Sequence, residues 1–177
     1  MRINQIKFFL VGFFLVMLTA CGYKPSSVLI KNIFDDTIYV KVNVDRAEPE
    51  NAPFVKDEMN RLVYTRFKGK VTSKEKAKSK IKINYRGTEF NAIAYDNGYI
   101  TRYRADIRVR FKMVTKNGTL TKSITARHEA NIQASSLESS TLRTEAIRKG
   151  LEKALDEFIA YVSVKGMLAS SDNRQTK

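Results

Sequence analysis

The sequence predicts an α+β fold: a small sheet of about four strands, in the order β-α-β-β-β-α, with two helices on one face. Three observations lead there. Two Asn-Gly dipeptides, Asn97-Gly98 and Asn117-Gly118, separate runs that alternate apolar and charged residues, the pattern of strands joined by tight hairpin turns. Two other stretches repeat apolar residues at helical spacing. An isolated alternating run precedes the first of these. A sheet with one apolar and one charged face buries the apolar side under its helices, which places both helices on the same side.

Taken in order, residues 1–20 read as a secretory leader. Arg2 and Lys7 give a basic start, and Phe8 to Leu18 form an apolar run of about 11 residues, the length of a signal core and short of the ~20 needed to span a bilayer. Leu18-Thr19-Ala20-Cys21-Gly22 follows and resembles the lipobox of bacterial lipoproteins, in which the cysteine thiol carries the lipid and several acyl chains together give stable anchoring. Residues 21–36 read as a lipidated tether. From Thr37 to Val44, Ile38, Val40, Val42 and Val44 alternate with Tyr39, Lys41 and Asn43, a half-buried strand. Pro53 suits the first turn of a helix. Val55, Met59, Leu62, Val63 and Phe67 then form its stripe, and Gly69 is its expected stop.

The two turns imply a meander with strands near 79–96, 99–116 and 119–133. The central strand puts Tyr103, Ala105, Ile107, Val109, Phe111 and Met113 on one face and Arg102, Arg104, Asp106, Arg108, Arg110 and Lys112 on the other. Closing Asn117-Gly118 as a two-residue loop pairs 116 with 119. Phe111 then faces Ile124, Val109 faces Ala126, and Tyr103 faces Ile132. Closing Asn97-Gly98 sets Phe90 and Ala92 opposite Ala105 and Tyr103. Carried further, that register would put Arg86 on the core face, so an extra residue is needed, and Gly87 is the natural position for a bulge. Beyond it Ile81, Ile83 and Tyr85 rejoin the core. After a Ser/Thr-rich connector, Ile147, Leu151, Ala154, Leu155, Phe158, Ile159 and Val162 make the clearest amphipathic helix, with Ser139, Ser140 or Thr141 able to cap it. The expected domain is 37–163, and 164–177 a polar, disordered tail.

The chain of 177 residues carries 32 Lys+Arg against 18 Asp+Glu, an excess that favours anionic partners. In the inferred register Arg86, Arg108 and Arg127 form one row across three strands, flanked by Arg110 and by Lys82 beside Lys112. Opposed like charges destabilise a sheet, and phosphate or carboxylate bound across the row would relieve that repulsion; the alternative is a solvated basic face. Around the first turn, Ile93 and Tyr95 fall on the face opposite the core, and with Tyr99 beside the turn they are candidate partner contacts, the alternative being local packing. His128, the single histidine, falls opposite Ile107 on the core face and reads as a packed residue. Cys21 is the single cysteine, which excludes an intrachain disulfide. Neither a metal-ligand spacing nor a nucleophile motif nor a phosphate loop is present, so no cofactor or metal is expected, and the residue pattern argues against an enzyme.

The lipobox-like Leu18–Gly22 with Tyr23, the strand Thr37-Ile38-Tyr39-Val40, the turn Ala94-Tyr95-Asp96-Asn97-Gly98, the strand Tyr103–Val109 and the helix from Leu142 to Val162 together resemble the LptE-like family of LPS-assembly lipoproteins. The resemblance covers nearly the whole chain after the leader and rests more on the order and character of its elements than on invariant residues. It implies a sheet packed by two helices, seated as a plug in a large outer-membrane β-barrel (LptD), where it assists barrel assembly and delivers lipopolysaccharide to the outer leaflet. The implied location is the outer membrane, facing the periplasm and held by lipid. An auxiliary lipoprotein of a periplasmic lipid-transport ABC system is the rival reading. Nucleic acid is not an expected partner, because Tyr103 and Phe111 fall on the core face and leave the basic face without a stacking platform.

Overall fold

A computed structural model of the chain describes residues 25–46, 48–131 and 136–175. The leader, Cys21, and the Ile132 expected opposite Tyr103 lie outside the described residues. The α+β architecture is as expected, with one more strand and one more helix. The elements run α1 (Ser26–Lys31), β1 (Thr37–Asn43), α2 (Asn51–Thr65), β2 (Lys70–Val71), β3 (Ser79–Asp96), β4 (Tyr99–Thr115), β5 (Gly118–Asn131) and α3 (Ser136–Gln175). Spatial order in the sheet is β2-β1-β3-β4-β5. β1 runs parallel to both β2 and β3, because the chain must cross over through α2 before it returns. β3, β4 and β5 form the antiparallel meander.

The core lies between the apolar sheet face and the helices. α2 packs over β1 and β2, and α3 over β4 and β5. A line of rings ties the layers together. Phe111 of β4 stacks on Phe158 of α3 at 4.2 Å and 8°. Phe67 follows at 6.3 Å, and Phe34 lies 5.1 Å beyond it. Each such pair adds roughly 0.5–1.5 kcal/mol beyond the area it buries.

The bulge expected at Gly87 is present: pairing shifts by one residue between Tyr85 and Thr88, and Gly87 has φ 84°. The N–H that the bulge removes from the ladder is not wasted. Thr88 donates it to Glu48 (3.1 Å), and the same carboxylate accepts from Tyr85 Oη and from Asn51 Nδ2 (3.1 Å). Burial, reinforced by the adjacent Glu48 charge, pushes the Tyr85 phenol well above its usual pKa.

Four expectations are corrected. The Asn97-Gly98 turn has positive φ at both residues (47° and 85°) and closes on Asp96–Tyr99 as expected. The second turn does not behave in the same way. Its positive φ falls on Gly118 (107°) and not on Asn117, so the loop is Lys116-Asn117 and Thr115 pairs with Gly118. This is the geometry of a type I turn followed by a glycine bulge, clipped by hydrogen bonds from Asn117 N to Thr115 Oγ1 (3.2 Å) and from Thr115 Oγ1 to the Gly118 carbonyl (2.8 Å). The whole β4–β5 register therefore moves by two residues: Phe111 faces Lys122 and Val109 faces Ile124. A shift of two preserves which face each residue occupies, so apolar alternation alone could not distinguish the two registers.

The second correction concerns the stretch read as a tether. Residues 26–31 form α1, and Ile30, Ile33 and Phe34 are buried in the main core. Third, the last helix begins at Ser136, so Ser139, Ser140 and Thr141 lie within it, and it continues through 164–175 where a tail was expected. α1 holds that extension in place: Asn32 Nδ2 donates to the Gly166 carbonyl (3.1 Å). Fourth, α2 ends at Thr65, and the left-handed residue that follows it is Lys68 (φ 51°), one residue before the expected stop at Gly69, whose N–H donates to the Val63 carbonyl (3.0 Å).

A Cβ on Gly166 would lie 1.9 Å from the Leu29 carbonyl oxygen, against backbone that cannot give way. Gly166→Ala should therefore push α1 off α3 and cost on the order of 1–3 kcal/mol, the range for overpacking a tight contact. Urea denaturation followed by circular dichroism measures this, and an unchanged midpoint would contradict the α1–α3 packing.

Candidate functional site: the open basic face of the sheet

Among the described residues no helix covers the second face of the sheet, and alternation sends the charged residues of β1, β3, β4 and β5 to it. The structure divides this face into two unlike halves.

Toward the Asn97-Gly98 end, the arginines are paired. Arg127 lies opposite Asp106 and forms an ion pair with its Oδ1 at 3.2 Å; Arg104 Nε donates to Oδ2 of the same carboxylate (3.2 Å), as does Asn91 Nδ2 (2.9 Å). Arg108 Nη2 meets Glu89 at 2.8 Å, and Arg102 meets Glu129 at 3.6 Å. The expected row of Arg86, Arg108 and Arg127 does not form. The two-residue register shift sets Thr125, not Arg127, across from Arg108, and Arg86 sits at the bulge. Arg110 donates to Ser123 Oγ at 3.3 Å. This half of the face is a charge-matched ladder.

Toward β1 the opposite holds. Lys82 lies across from Lys112, as expected, and its other neighbour is Lys41 on the parallel strand. Lys80 and Lys74 join this row around a shallow depression of about 250 Å³, whose floor includes Tyr39 and Val114. Among the described residues none of these five lysines forms a salt bridge within 4.0 Å. Each directly opposed pair costs about 0.8 kcal/mol at ~5 Å in water before screening. Lysine stems can lie along the apolar floor while their ammonium groups reach outward, so the site can hold a multiply charged anion over an apolar surface. Lys41, Lys74 and Lys80 were missed from the sequence, although Lys41 and Lys80 stand in the polar phase of their strands. The missing piece was the placement of β1 beside β3.

At the far hairpin, Tyr95 and Tyr99 are 64% and 79% exposed and Ile93 is 37% exposed. His128 lies on the helix-covered face, opposite Ala105 and not Ile107. Its Nδ1 is buried and has no hydrogen-bond partner among the described residues. Burial, aided by the nearby Lys153 and Lys149, lowers its pKa against the opposing pull of Glu145 and Glu129. Among the described residues no cluster of three or more His, Cys, Asp or Glu is arranged to hold a metal, and no helix is long and apolar enough to cross a membrane.

Among the described residues the chain is a five-stranded sheet with helices on one face and charged residues on the other. The LptE family model, described as lipopolysaccharide-assembly, matches residues 36–162, and the chain belongs to that family. Among solved structures it is similar to lipoprotein B from Nitrosomonas europaea, at 16% identity and TM-score 0.57 over 77% of this chain and 88% of that one. It is also similar to the rare lipoprotein B from Shewanella oneidensis, at 13% identity and TM-score 0.51 over 77% of this chain and 98% of that one. At such identities the likeness establishes the fold. No curated protein sequence matches the chain.

The lowered pKa of His128 means that folding favours its neutral form. Its contribution to stability is present above the unfolded value of about 6.5 and is lost as pH falls below it. Wild-type protein should therefore lose stability relative to His128→Gln between pH 7.5 and 5.5 in paired denaturation curves. A difference that stays constant across that range would contradict the buried, neutral imidazole.

Proposed function

We propose that the chain is an outer-membrane lipoprotein, attached through Cys21 and facing the periplasm. It seats in an LptD-like β-barrel, assists the assembly of that barrel, and binds lipopolysaccharide for delivery to the outer leaflet. Family membership supports the assembly role. The observation that carries the lipid-binding part is the Lys41–Lys82–Lys112 row, unneutralised beside an apolar floor. A phosphorylated glycolipid offers both halves of the match, anionic groups for the ammonium rim and hydrocarbon for the floor. Arg110 extends this surface along β4. Arg108 and Arg127, already engaged by Glu89 and Asp106, hold the other half of the face together, and Arg86 stands apart at the bulge. The exposed Ile93, Tyr95 and Tyr99 are the proposed contact with the barrel, since aromatic side chains are favoured at protein interfaces.

Replacing Lys82 and Lys112 together by Gln should weaken lipopolysaccharide binding by about tenfold or more, each factor of ten being about 1.4 kcal/mol. Replacing Lys56 and Lys149, outside the sheet, removes the same charge and should have a small effect. Surface plasmon resonance on captured lipopolysaccharide at two salt concentrations makes the comparison. Equal losses in both double variants would reduce the binding to net charge and eliminate the site. Independently, Tyr95→Asp with Tyr99→Asp should deplete the barrel that co-purifies with the tagged protein. Undiminished one-to-one recovery would remove the hairpin from the interface.

A further inference from the structure

The molecule has two poles. α3 reaches from one to the other: near its start Arg143 lies over the Phe90 ring at 4.3 Å, and near its end Gly166 packs on the backbone of Leu29. The Asn97-Gly98 hairpin occupies the first pole. The second contains α1, the end of α3 and the Lys116-Asn117 loop. There Lys116 N donates to the Ile33 carbonyl and Lys116 Nζ to the Lys31 carbonyl, each at 3.0 Å. At about 3.3 Å per residue, the 17 residues of β4 set these poles some 50 Å apart.

α1 is fixed to the body of the domain by buried Ile30, Ile33 and Phe34 and by the Asn32–Gly166 hydrogen bond. Only Gly22 to Pro25 separate Cys21 from its first residue. Fully extended, that leash spans at most about 18 Å. Lipid on Cys21 would therefore hold the α1 pole against the bilayer surface and could not let the domain hang free.

That pole carries apolar side chains that the fold leaves uncovered. Val28, one residue before Leu29, is 53% exposed; Met167 and Leu168, immediately after Gly166, are 52% and 50% exposed. All three lie within two residues of the α1–α3 crossing. Lys165 accompanies them, its Nζ 5.9 Å from the Tyr161 ring, and Lys31, ion-paired with Asp36 at 3.3 Å, lies alongside. Exposed apolar residues among basic ones are the composition of a surface that enters the headgroup region of a membrane.

We propose that the α1–α3 corner, through Val28, Met167 and Leu168, rests in the lipid headgroup layer of the leaflet that holds the anchor and orients the hairpin pole away from it. This rests on the lipoprotein reading of Cys21. The short leash selects lipid as the occupant, since it brings this corner within reach of the bilayer.

The chain contains no tryptophan, so a single introduced one reports without background. The test uses full-length lipidated protein in phosphatidylethanolamine–phosphatidylglycerol (3:1) vesicles with Val28→Trp, Leu168→Trp or Tyr99→Trp, each compared with and without acyl-brominated lipid. Bromolipid should quench the emission at 28 and 168 at least twofold and leave that at 99 unchanged. Quenching at 28 and 168 no greater than at 99, on vesicles that carry the protein through flotation, overturns the orientation and leaves the anchor intact. Unquenched but blue-shifted emission that depends on protein concentration assigns the corner to a second copy and also overturns it. Protein that fails to float with the vesicles removes the lipoprotein reading itself, and this inference with it.

Discussion

The pairing of Thr115 with Gly118 decides which charges of β4 and β5 meet on the open face of the sheet. Gly118 takes a positive φ that most side chains resist, the turn tightens around Lys116-Asn117, and β5 slides two residues along β4. In the slid register Arg127 meets Asp106 in place of Arg108. One carboxylate then serves Arg104, Arg127 and Asn91 together. Without that slip, Arg127 would lie across from Arg108; with it, the arginine half of the face becomes a neutralised ladder.

Among the described residues Lys41, Lys82 and Lys112 have no salt bridge to give such relief. Their neighbours are fixed by a different junction, the parallel pairing of β1 with β3, and each strand contributes a lysine at the same level. Like charges directly across a ladder work against the sheet. The sheet is held instead by the core behind it, where Phe111, Phe158, Phe67 and Phe34 lie ring against ring. The buried layer thus sustains a repulsive surface, and a bound polyanion would relieve that repulsion. The same core also holds α1 and gives the domain its two poles, with the lysine row on β1 and β3, which start beside the α1 pole, and on β4, which ends there.

Much of this was legible in the sequence, for identifiable reasons. Strong alternation in β4, two Asn-Gly turns and the need for a bulge at Gly87 are local signals, and local signals locate strands and faces well. Three things were not legible. A two-residue slip leaves each residue on its own face, so the apolar pattern that places Val109 and Phe111 in the core is silent about whether Arg127 meets Arg108 or Asp106. The parallel partner of β1 depends on a crossover that no turn residue specifies, and the Lys41 site was hidden with it. The helical character of 26–31 and of 164–175 was also missed. α1 is a short, polar-flanked segment, and the end of α3 lacks a dense apolar stripe. Each is ordered by the other at the Leu29–Gly166 crossing, a tertiary contact that overrides weak local preference.

The central claim is that unpaired lysines, and not the ion-paired arginines, are the main anion-binding groups of this face. Side-chain NMR resolves the two directly: the ¹⁵N resonances of lysine Nζ and arginine Nε can be followed while a bisphosphorylated glucosamine disaccharide is titrated in. The account predicts saturable shifts for Lys41, Lys82 and Lys112, with Arg104, Arg108 and Arg127 unmoved in their ion pairs. Shifts confined to the arginines, or spread evenly over every cation on the surface, would contradict it.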